Sequence, residues 1–248
     1  MIEIKNLVKS FSGTEILHNV SASFEQGKTN LIIGQSGSGK TVFLKCMVGL
    51  HQPDSGEILF NGKDFFSMDF HQKKELRKEI GMVFQAGALF DSMTVEANVM
   101  FPLNMFTEMS MEEKLDRTNF CLRRVNLENK NHLYPAEISG GMQKRVAIAR
   151  AISMNPKYLF CDEPNSGLDP KTAIVIDNLV KEITEEYNIT TVINTHDMNS
   201  VLEIGEKVIF LNQGTKAWEG DRKTILTTEQ EDVVDFVYTS KFLRELRK

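Results

Sequence analysis

Apolar and polar residues alternate at the start of the chain, as they do in strands that bury one face. Ile2 and Ile4 form the apolar face of a first predicted strand. Val20, Ala22 and Phe24 form that of a second, and the residues between them are polar. A side-chain period of two is typical of half-buried β-strands. The beginning of the chain is therefore predicted to form strands rather than helices.

Two short segments with glycine predict turns between strands. Ser12-Gly13 lies between the two alternating segments. Asn61-Gly62 lies within EILFNGKDF at 57–65, and Asn-Gly between strand-like flanks is a strong hairpin signal. We therefore expect antiparallel strands to dominate the N-terminal edge of the fold.

Further along the chain, the apolar residues form short continuous runs, and helix-like segments separate most of these runs. This order predicts an α/β fold, with a largely parallel sheet covered by helices. The apolar runs occupy 29–34, 157–163, 190–197 and 207–214, and the helix-like segments occupy 40–50, 141–154, 171–187 and 197–204.

The strand signal disappears between about 86 and 138, where TVEANVMFPL and MEEKLDRTNFCLRRVNL have helical patterns. We interpret this region as a helical subdomain inserted into the α/β core. The predicted organisation is a single domain over 1–248, with the core and the antiparallel subdomain in 1–85 and 157–225, the helical subdomain in about 86–156, and a helical tail in 226–248.

The tail is amphipathic, with Val233, Phe236 and Val237 at helical spacing. Two interpretations stay open for it. It packs on its own domain, or it reaches across to a partner.

Composition narrows the class of protein. The 248 residues are 41% hydrophobic, and the net charge of −5 argues against a nucleic-acid partner. The three cysteines are widely spaced and form no CxxC pair, which indicates neither a disulfide framework nor a zinc site. No stretch reaches the roughly 18 apolar residues of a membrane helix. We expect a cytoplasmic protein, whose partner supplies any membrane part.

GQSGSGKT at 34–41 fits the phosphate-binding pattern G-x-x-x-x-G-K-[ST], after an apolar run and before a helix. Glycines let backbone N–H groups surround phosphate oxygens, and the helix N-terminus adds partial positive charge. Lys40 is expected to reach the β- and γ-phosphates, and the Thr41 hydroxyl to ligate Mg²⁺. The predicted nucleotide-binding residues here are Gly34, Gln35, Ser36, Gly37, Ser38, Gly39, Lys40 and Thr41.

Polar residues at the ends of other apolar runs complete a candidate site. Asp162 and Glu163 end YLFCDE, where Asp162 can hold Mg²⁺ and Glu163 can orient or deprotonate the attacking water. His196 ends VINTH and could donate to the transferring phosphoryl group, although a lone histidine is more often a surface or core residue. Gln85 follows IGMVF and could contact Mg²⁺ and the water.

A second glycine turn, in ISGGMQKRVAIARAI at 138–152, also opens a helix. Ser139 can cap this helix, which makes a second anion site by the same logic as the first. Since the chain has one phosphate-binding loop motif, the economical account is that this turn closes over a nucleotide held by another copy. A simple capped helix is the alternative.

GQSGSGKT, Gln85, ISGGMQKR, YLFCDEP, SGLD and His196 follow one another in the order found in the ATP-binding cassette (ABC) ATPases, which the chain resembles over nearly its whole length. In that family, ATP closes a head-to-tail dimer and hydrolysis reopens it to drive a membrane transporter. The resemblance implies ATP and Mg²⁺ as cofactors, and a second copy of the chain and an integral-membrane permease as partners.

The resemblance also implies roles around one ATP. Glu163 is the catalytic carboxylate, Gln85 senses the γ-phosphate and faces the permease, and His196 clamps the γ-phosphate. Asp162 supports Mg²⁺, with Thr41 and Gln85 as further metal contacts. Phe11 resembles the aromatic residue that stacks on adenine, and a core Phe is the alternative.

Other roles implied by the resemblance concern the dimer. Ser139, Gly140 and Gly141 grip the ATP of the opposite protomer, and Asp169 bridges the two chains. Where the usual signature reads LSGGQ, this chain has Ile138 and Met142 at its two ends. Loss of the glutamine side chain puts in doubt a contact with the partner's nucleotide, but the serine and the backbone donors remain.

SGGM and the stretch FQAGALFDSMTVEANVMFPL resemble the ATPases of the MCE-linked lipid transporters, including the Mla phospholipid system. This resemblance implies a lipid-binding MCE protein as a further partner, and a position on the cytoplasmic face of the inner membrane. The motor of an amino-acid, metal or drug transporter is the alternative within the same class. A non-transport ABC protein is a weaker one, because the chain has neither a second cassette nor a coiled-coil or zinc insertion.

Overall fold

The computed structural model describes residues 1–238. Within them, ten strands and eight α-helices follow in chain order. The strands are β1 (Ile2–Phe11), β2 (Thr14–Phe24), β3 (Thr29–Ile33), β4 (Ser55–Phe60), β5 (Lys63–Asp64), β6 (Ile80–Val83), β7 (Tyr158–Asp162), β8 (Thr190–Thr195), β9 (Lys207–Asn212) and β10 (Thr215–Gly220). The helices are α1 (Lys40–Met47), α2 (Phe70–Lys78), α3 (Val95–Phe106), α4 (Met111–Arg124), α5 (Gly140–Ile152), α6 (Pro170–Tyr187), α7 (Met198–Ile204) and α8 (Glu231–Val237).

The chain divides into two compact units. The first contains Met1–Asp69 together with the described residues from Thr190 onward, and the second is Phe70–Ile189. The predicted helical subdomain over about 86–156 is a finer division, which stays a prediction.

An antiparallel sheet in the first unit has the strand order β2-β1-β4-β5. The turn between β1 and β2 has positive φ at both Ser12 and Gly13, and the turn between β4 and β5 has it at both Asn61 and Gly62. Positive φ at both central residues defines the type I′ turn, whose twist suits a two-residue hairpin. Both predicted turns and the antiparallel edge are confirmed.

The first unit also holds a mostly parallel sheet. β3 runs parallel to β8 on one side and to β9 on the other. Its residues Leu31, Ile32 and Ile33 are fully buried, as expected for a strand covered on both faces. β10 pairs antiparallel with β9. The predicted parallel sheet is confirmed, but the pattern does not predict β10, because its TKAWEG sequence has few apolar residues.

Strands β6 and β7 run parallel in the second unit, with Ile80 opposite Tyr158 and Val83 opposite Cys161. Residues 86–138 are all described, and they contain helices α3 and α4 and no strand, as predicted. The pattern does not predict α2, whose residues are mostly charged or polar.

Helix α8 packs on its own unit. Val233 and Val237 are buried, and the ring of Phe236 lies 5.2 Å from that of Phe210 in β9. For residues 231–237 the structure therefore favours the first of the two interpretations of the tail. The rest of the predicted tail, 239–248, lies outside the described residues.

Candidate active site

The glycine-rich loop joins β3 to α1 and has a backbone that other residues cannot adopt without strain. Gly34 has a φ of +152°, and a Cβ there would collide with the carbonyl oxygen of Leu211. Gly39, at the N-cap of α1, has a φ of +98°, and its Cβ would lie 3.0 Å from the Leu17 side chain. These glycines bring the backbone to the helix start in a form that leaves its N–H groups for a ligand. The exposed residues of the loop are Gln35, Ser36 and Gly37.

The side chains of the loop fit a polyphosphate. Lys40 Nζ donates to the carbonyl oxygens of Gly34 and Gln35, at 2.9 and 3.0 Å, so that its ammonium lies inside the loop. Ser38 Oγ is buried and has no hydrogen-bond partner among residues 1–238. A buried polar atom without a partner costs free energy, which a phosphate oxygen at this place would recover. Thr41 is exposed in the first turn of α1.

Phe11 and His196 belong to the same unit as this loop. Phe11 ends β1 and is 40% exposed, so its ring is not a core residue. The ring meets His51 edge-on at 5.1 Å between centroids, and Lys9 Nζ lies 5.0 Å from the ring centre. His196 is exposed and directly follows β8. Both side chains are therefore accessible to a ligand.

The second unit brings Gln85 together with Glu163. Asp162 is the buried last residue of β7, and Glu163 follows it with a partly exposed side chain. Gln85 Nε2 donates a hydrogen bond of 2.8 Å to Glu163 Oε2. Glu163 has a φ of +46°. This left-handed backbone costs a residue with a Cβ about 1–3 kcal/mol, and such strain concentrates at active sites.

The serine-glycine turn begins α5 as predicted. Ser139 is the N-cap, and its Oγ accepts a hydrogen bond of 3.3 Å from the amide of Met142. Ser139 and Gly140 are exposed. The first amides of a 13-residue helix have no partners within the helix and carry its partial positive charge. This end of α5 can therefore bind an anion from outside the chain.

Asp169 caps α6 and is linked to the same turn. One of its oxygens accepts from the amides of Lys171 and Thr172, and the other accepts from the Thr172 hydroxyl at 2.5 Å. These hydrogen bonds, that of the Thr172 hydroxyl above all, lower the pKa of Asp169. A Cβ on Gly141 would lie 2.7 Å from Thr172 Cγ2. Gly141 therefore allows α5 to pack against the residue that fixes Asp169.

The structure also reveals polar residues that the sequence analysis does not single out. The amide nitrogen of Asn165 donates to both carboxylate oxygens of Asp177, and both residues are buried. Lys144 and Arg150 on α5 donate to backbone carbonyls of residues 85–88, the Gln85 segment. For Arg150, the available signal was a charged residue within the otherwise small and apolar run VAIARAI.

A phosphate-binding loop after a parallel strand, with carboxylates at the end of another strand, defines an α/β nucleotide-binding protein of the P-loop type. The family model described as "ABC transporter" matches residues 17–166. The chain belongs to the ABC transporter family. It is an ABC ATPase, the ATP-binding component of such a transporter.

Relatives of known description support this assignment. The "Probable ribonucleotide transport ATP-binding protein mkl" of Mycobacterium leprae is 36% identical over 236 residues, which are 95% of this chain and 68% of that protein. The "Methionine import ATP-binding protein MetN" of Desulfitobacterium hafniense is 35% identical over 252 residues, which cover 99% of this chain and 73% of that protein.

Solved structures share the fold. The dimeric structure of MJ0796, a bacterial ABC transporter cassette, matches with a TM-score of 0.82 and 35% identity over 90% of this chain and 99% of that one. The same cassette has been solved as a dimer in a post-hydrolysis state with ADP and Pi. CbiO1 of Clostridium perfringens, part of the cbiONQ complex, matches with a TM-score of 0.85 and 28% identity, over 100% of this chain and 98% of that one. Residues 1–238 include no helix with both the length and the apolar character needed to cross a bilayer.

Proposed function

We propose that this ATPase works as a head-to-tail pair of identical chains that enclose two ATP molecules. One observation carries the proposal: a single chain has one phosphate-binding loop motif but also a second exposed helix start, at Ser139 and Gly140, suited to an anion. A partner chain would bring the nucleotide to it. The dimeric MJ0796 structures, which share the fold, support this arrangement.

Around each ATP, residues of the first unit hold the nucleotide. Phe11 stacks on the adenine, and Ser38, Lys40 and the loop amides bind the phosphates. Mg²⁺ bound with ATP would neutralise charge on the phosphate oxygens. Thr41, Asp162 and Gln85 offer the oxygen ligands that this ion prefers.

Hydrolysis requires a base for the attacking water. Glu163 is the residue we assign to this role, with Gln85 orienting the water and His196 donating to the γ-phosphate. The contact of Gln85 with the Glu163 carboxylate supports the assignment, because a base must be held in one place to act.

The substitution Glu163→Gln tests both the role of Glu163 as the base and the pairing of two chains around ATP. It keeps the size of the side chain and should lower kcat about 10²–10⁴-fold while ATP still binds. Because hydrolysis is blocked, the ATP-bound dimer should accumulate and be detectable by light scattering. Near-normal hydrolysis would remove Glu163 from this role, and a monomer at saturating ATP would reject the paired arrangement.

A groove in the second unit supports the permease as partner. Its cavity of about 460 Å³ has mostly apolar walls next to the Gln85 segment. A short helix with apolar side chains, presented by a membrane protein, would fill such a groove. Among the lining residues are Arg77, Phe84, Phe90, Phe101, Phe106 and Arg150.

Two neighbouring exposed residues provide a matched test of this docking. Phe106 lines the groove and is 45% exposed, whereas Met105 is 59% exposed and does not line it. Phe106→Asp should abolish co-purification with the permease and leave the ATPase rate of the isolated chain unchanged. Met105→Asp should change neither. Equal loss of binding in both variants would reject the groove as the docking site.

The transported substrate is proposed from sequence resemblance. SGGM and the 84–103 stretch favour phospholipid transport of the MCE/Mla type, with the permease in the inner membrane, an MCE-type lipid-binding protein as further partner, and this chain on the cytoplasmic face. The relatives named for methionine import and ribonucleotide transport favour other substrates. Mass spectrometry of proteins and lipids that co-purify from native membranes separates these possibilities. An MCE-type protein would support the lipid proposal, and an amino-acid receptor would reject it.

A further inference from the structure

Two cations on α5 hold the Gln85 segment. Lys144 Nζ donates to the carbonyl oxygen of Gln85. Arg150 donates to the carbonyl oxygens of Gly87 and Ala88, both at 2.8 Å. Three carbonyls within four residues are thus fixed by side chains that lie six residues apart on α5.

The same face of α5 packs against this segment. Ala147 lies between the two cations in the sequence and is fully buried. A Cβ on Gly87 would lie 3.8 Å from the Ala147 methyl group. Positive φ at Gly87 and Ala88 turns the chain at the place where Arg150 binds it. The segment therefore follows the surface of α5 rather than running free of it.

Both cations are placed at a cost. Lys144 is only 7% exposed, and burial lowers its pKa, while the nearby Glu163 carboxylate acts in the opposite direction. Burial also lowers the pKa of Arg150. Buried charges seldom add net stability, so the stability of α5 does not by itself account for the buried Lys144 ammonium. A role in holding the Gln85 segment would explain why Lys144 and Arg150 occupy these positions of α5.

We propose that Lys144 and Arg150 are positioning residues that fix the Gln85 segment to helix α5, so that Gln85 is held where it meets Glu163. Helix α5 is capped by Ser139 and also carries the two cations. Contact of that end with a partner's nucleotide would thereby bear on the position of Gln85. The proposal rests on the proposed roles of Gln85 and Ser139.

The experiment combines Lys144→Met with Gln85→Ala and measures ATP hydrolysis by the purified full chain. Lys144→Met alone should lower kcat about 10- to 100-fold, as expected for a displaced catalytic group, and change the KM for ATP less than about twofold. In the Gln85→Ala background it should lower kcat no further, because the side chain that it positions is absent.

Arg145 supplies a matched control. It is a cation of the same helix, but it donates to the carbonyl oxygen of Val125 rather than to the Gln85 segment. Arg145→Met should leave kcat much closer to that of the natural chain and should show an additive effect with Gln85→Ala. If Arg145→Met behaves as Lys144→Met does, the cations serve only the stability of α5 and the proposal is wrong.

The remaining outcomes are also decisive. An unchanged kcat in Lys144→Met, or an equal loss in both backgrounds, overturns the positioning role. No effect of Gln85→Ala itself means instead that the proposed role of Gln85 is wrong. If Lys144→Met does not fold, Arg150→Met replaces it in the same cycle, and Arg150→Lys, which keeps one donor, should recover part of the lost kcat.

Discussion

Phe11→Ala removes the exposed ring that we propose to stack on adenine. Stacking of a base on an aromatic side chain is worth about 1–3 kcal/mol, so the Kd for ATP should rise about 5- to 150-fold. Because the ring is 40% exposed, the free energy of unfolding should fall by only about 0.5–1 kcal/mol. A Phe in the core would cost about 3–5 kcal/mol.

Calorimetric titration with ATP and with inorganic tripolyphosphate separates the base from the phosphates. Phe11→Ala should lower the affinity for ATP and leave the affinity for tripolyphosphate unchanged. Phe11→Trp keeps an aromatic face and should therefore bind ATP nearly as tightly as the natural chain does. An equal loss of affinity for both ligands would mean that the substitution disturbs the phosphate-binding loop. Unchanged ATP affinity, or a loss of stability on the scale of a core residue, would refute the stacking role.

Three further predictions use simpler assays. Lys40→Ala should abolish detectable ATP binding in the same titration, and unaltered affinity would contradict the loop assignment. Ser139→Arg should block the ATP-driven dimer in light scattering without changing the ATP affinity of the monomer, and unchanged dimers would contradict the role of the turn. Burial raises the pKa of the Cys46 thiol to about 12 and that of Cys121 to about 11, and also raises that of Cys161. Since the thiolate is the reactive form, all three should resist a thiol reagent in the folded chain at mildly alkaline pH and react after unfolding, and fast labelling of the native chain would contradict their burial.

Most of the fold could be predicted because its signals are local. Alternation marks β1 and β2, and Asn61-Gly62 determines its own hairpin through φ angles that these two residues tolerate. Helix α2 and strand β10 were not predicted, because their sequences carry no such local signal. Their residues bury little apolar surface, and the neighbouring strands and helices place them.

The candidate site divides in the same way. Gly34 and Lys40 are recognisable in the sequence because their work is done within one loop of eight residues. The sequence likewise places Ser139 at a helix start, where it caps the helix with its own side chain. Nothing local indicates that Asn165 binds Asp177, because that contact depends on how a loop returns to the face of α6.

The sequence by itself determined the phosphate-binding loop, the second glycine turn and most of the order of strands and helices, since each depends on backbone angles and apolar spacing within a few residues. Only the tertiary structure decided that Gln85 meets Glu163, 78 residues away, and that Lys144 holds the carbonyl of Gln85 from α5. Such contacts join segments that are distant in the chain, and packing, not local conformation, brings them together.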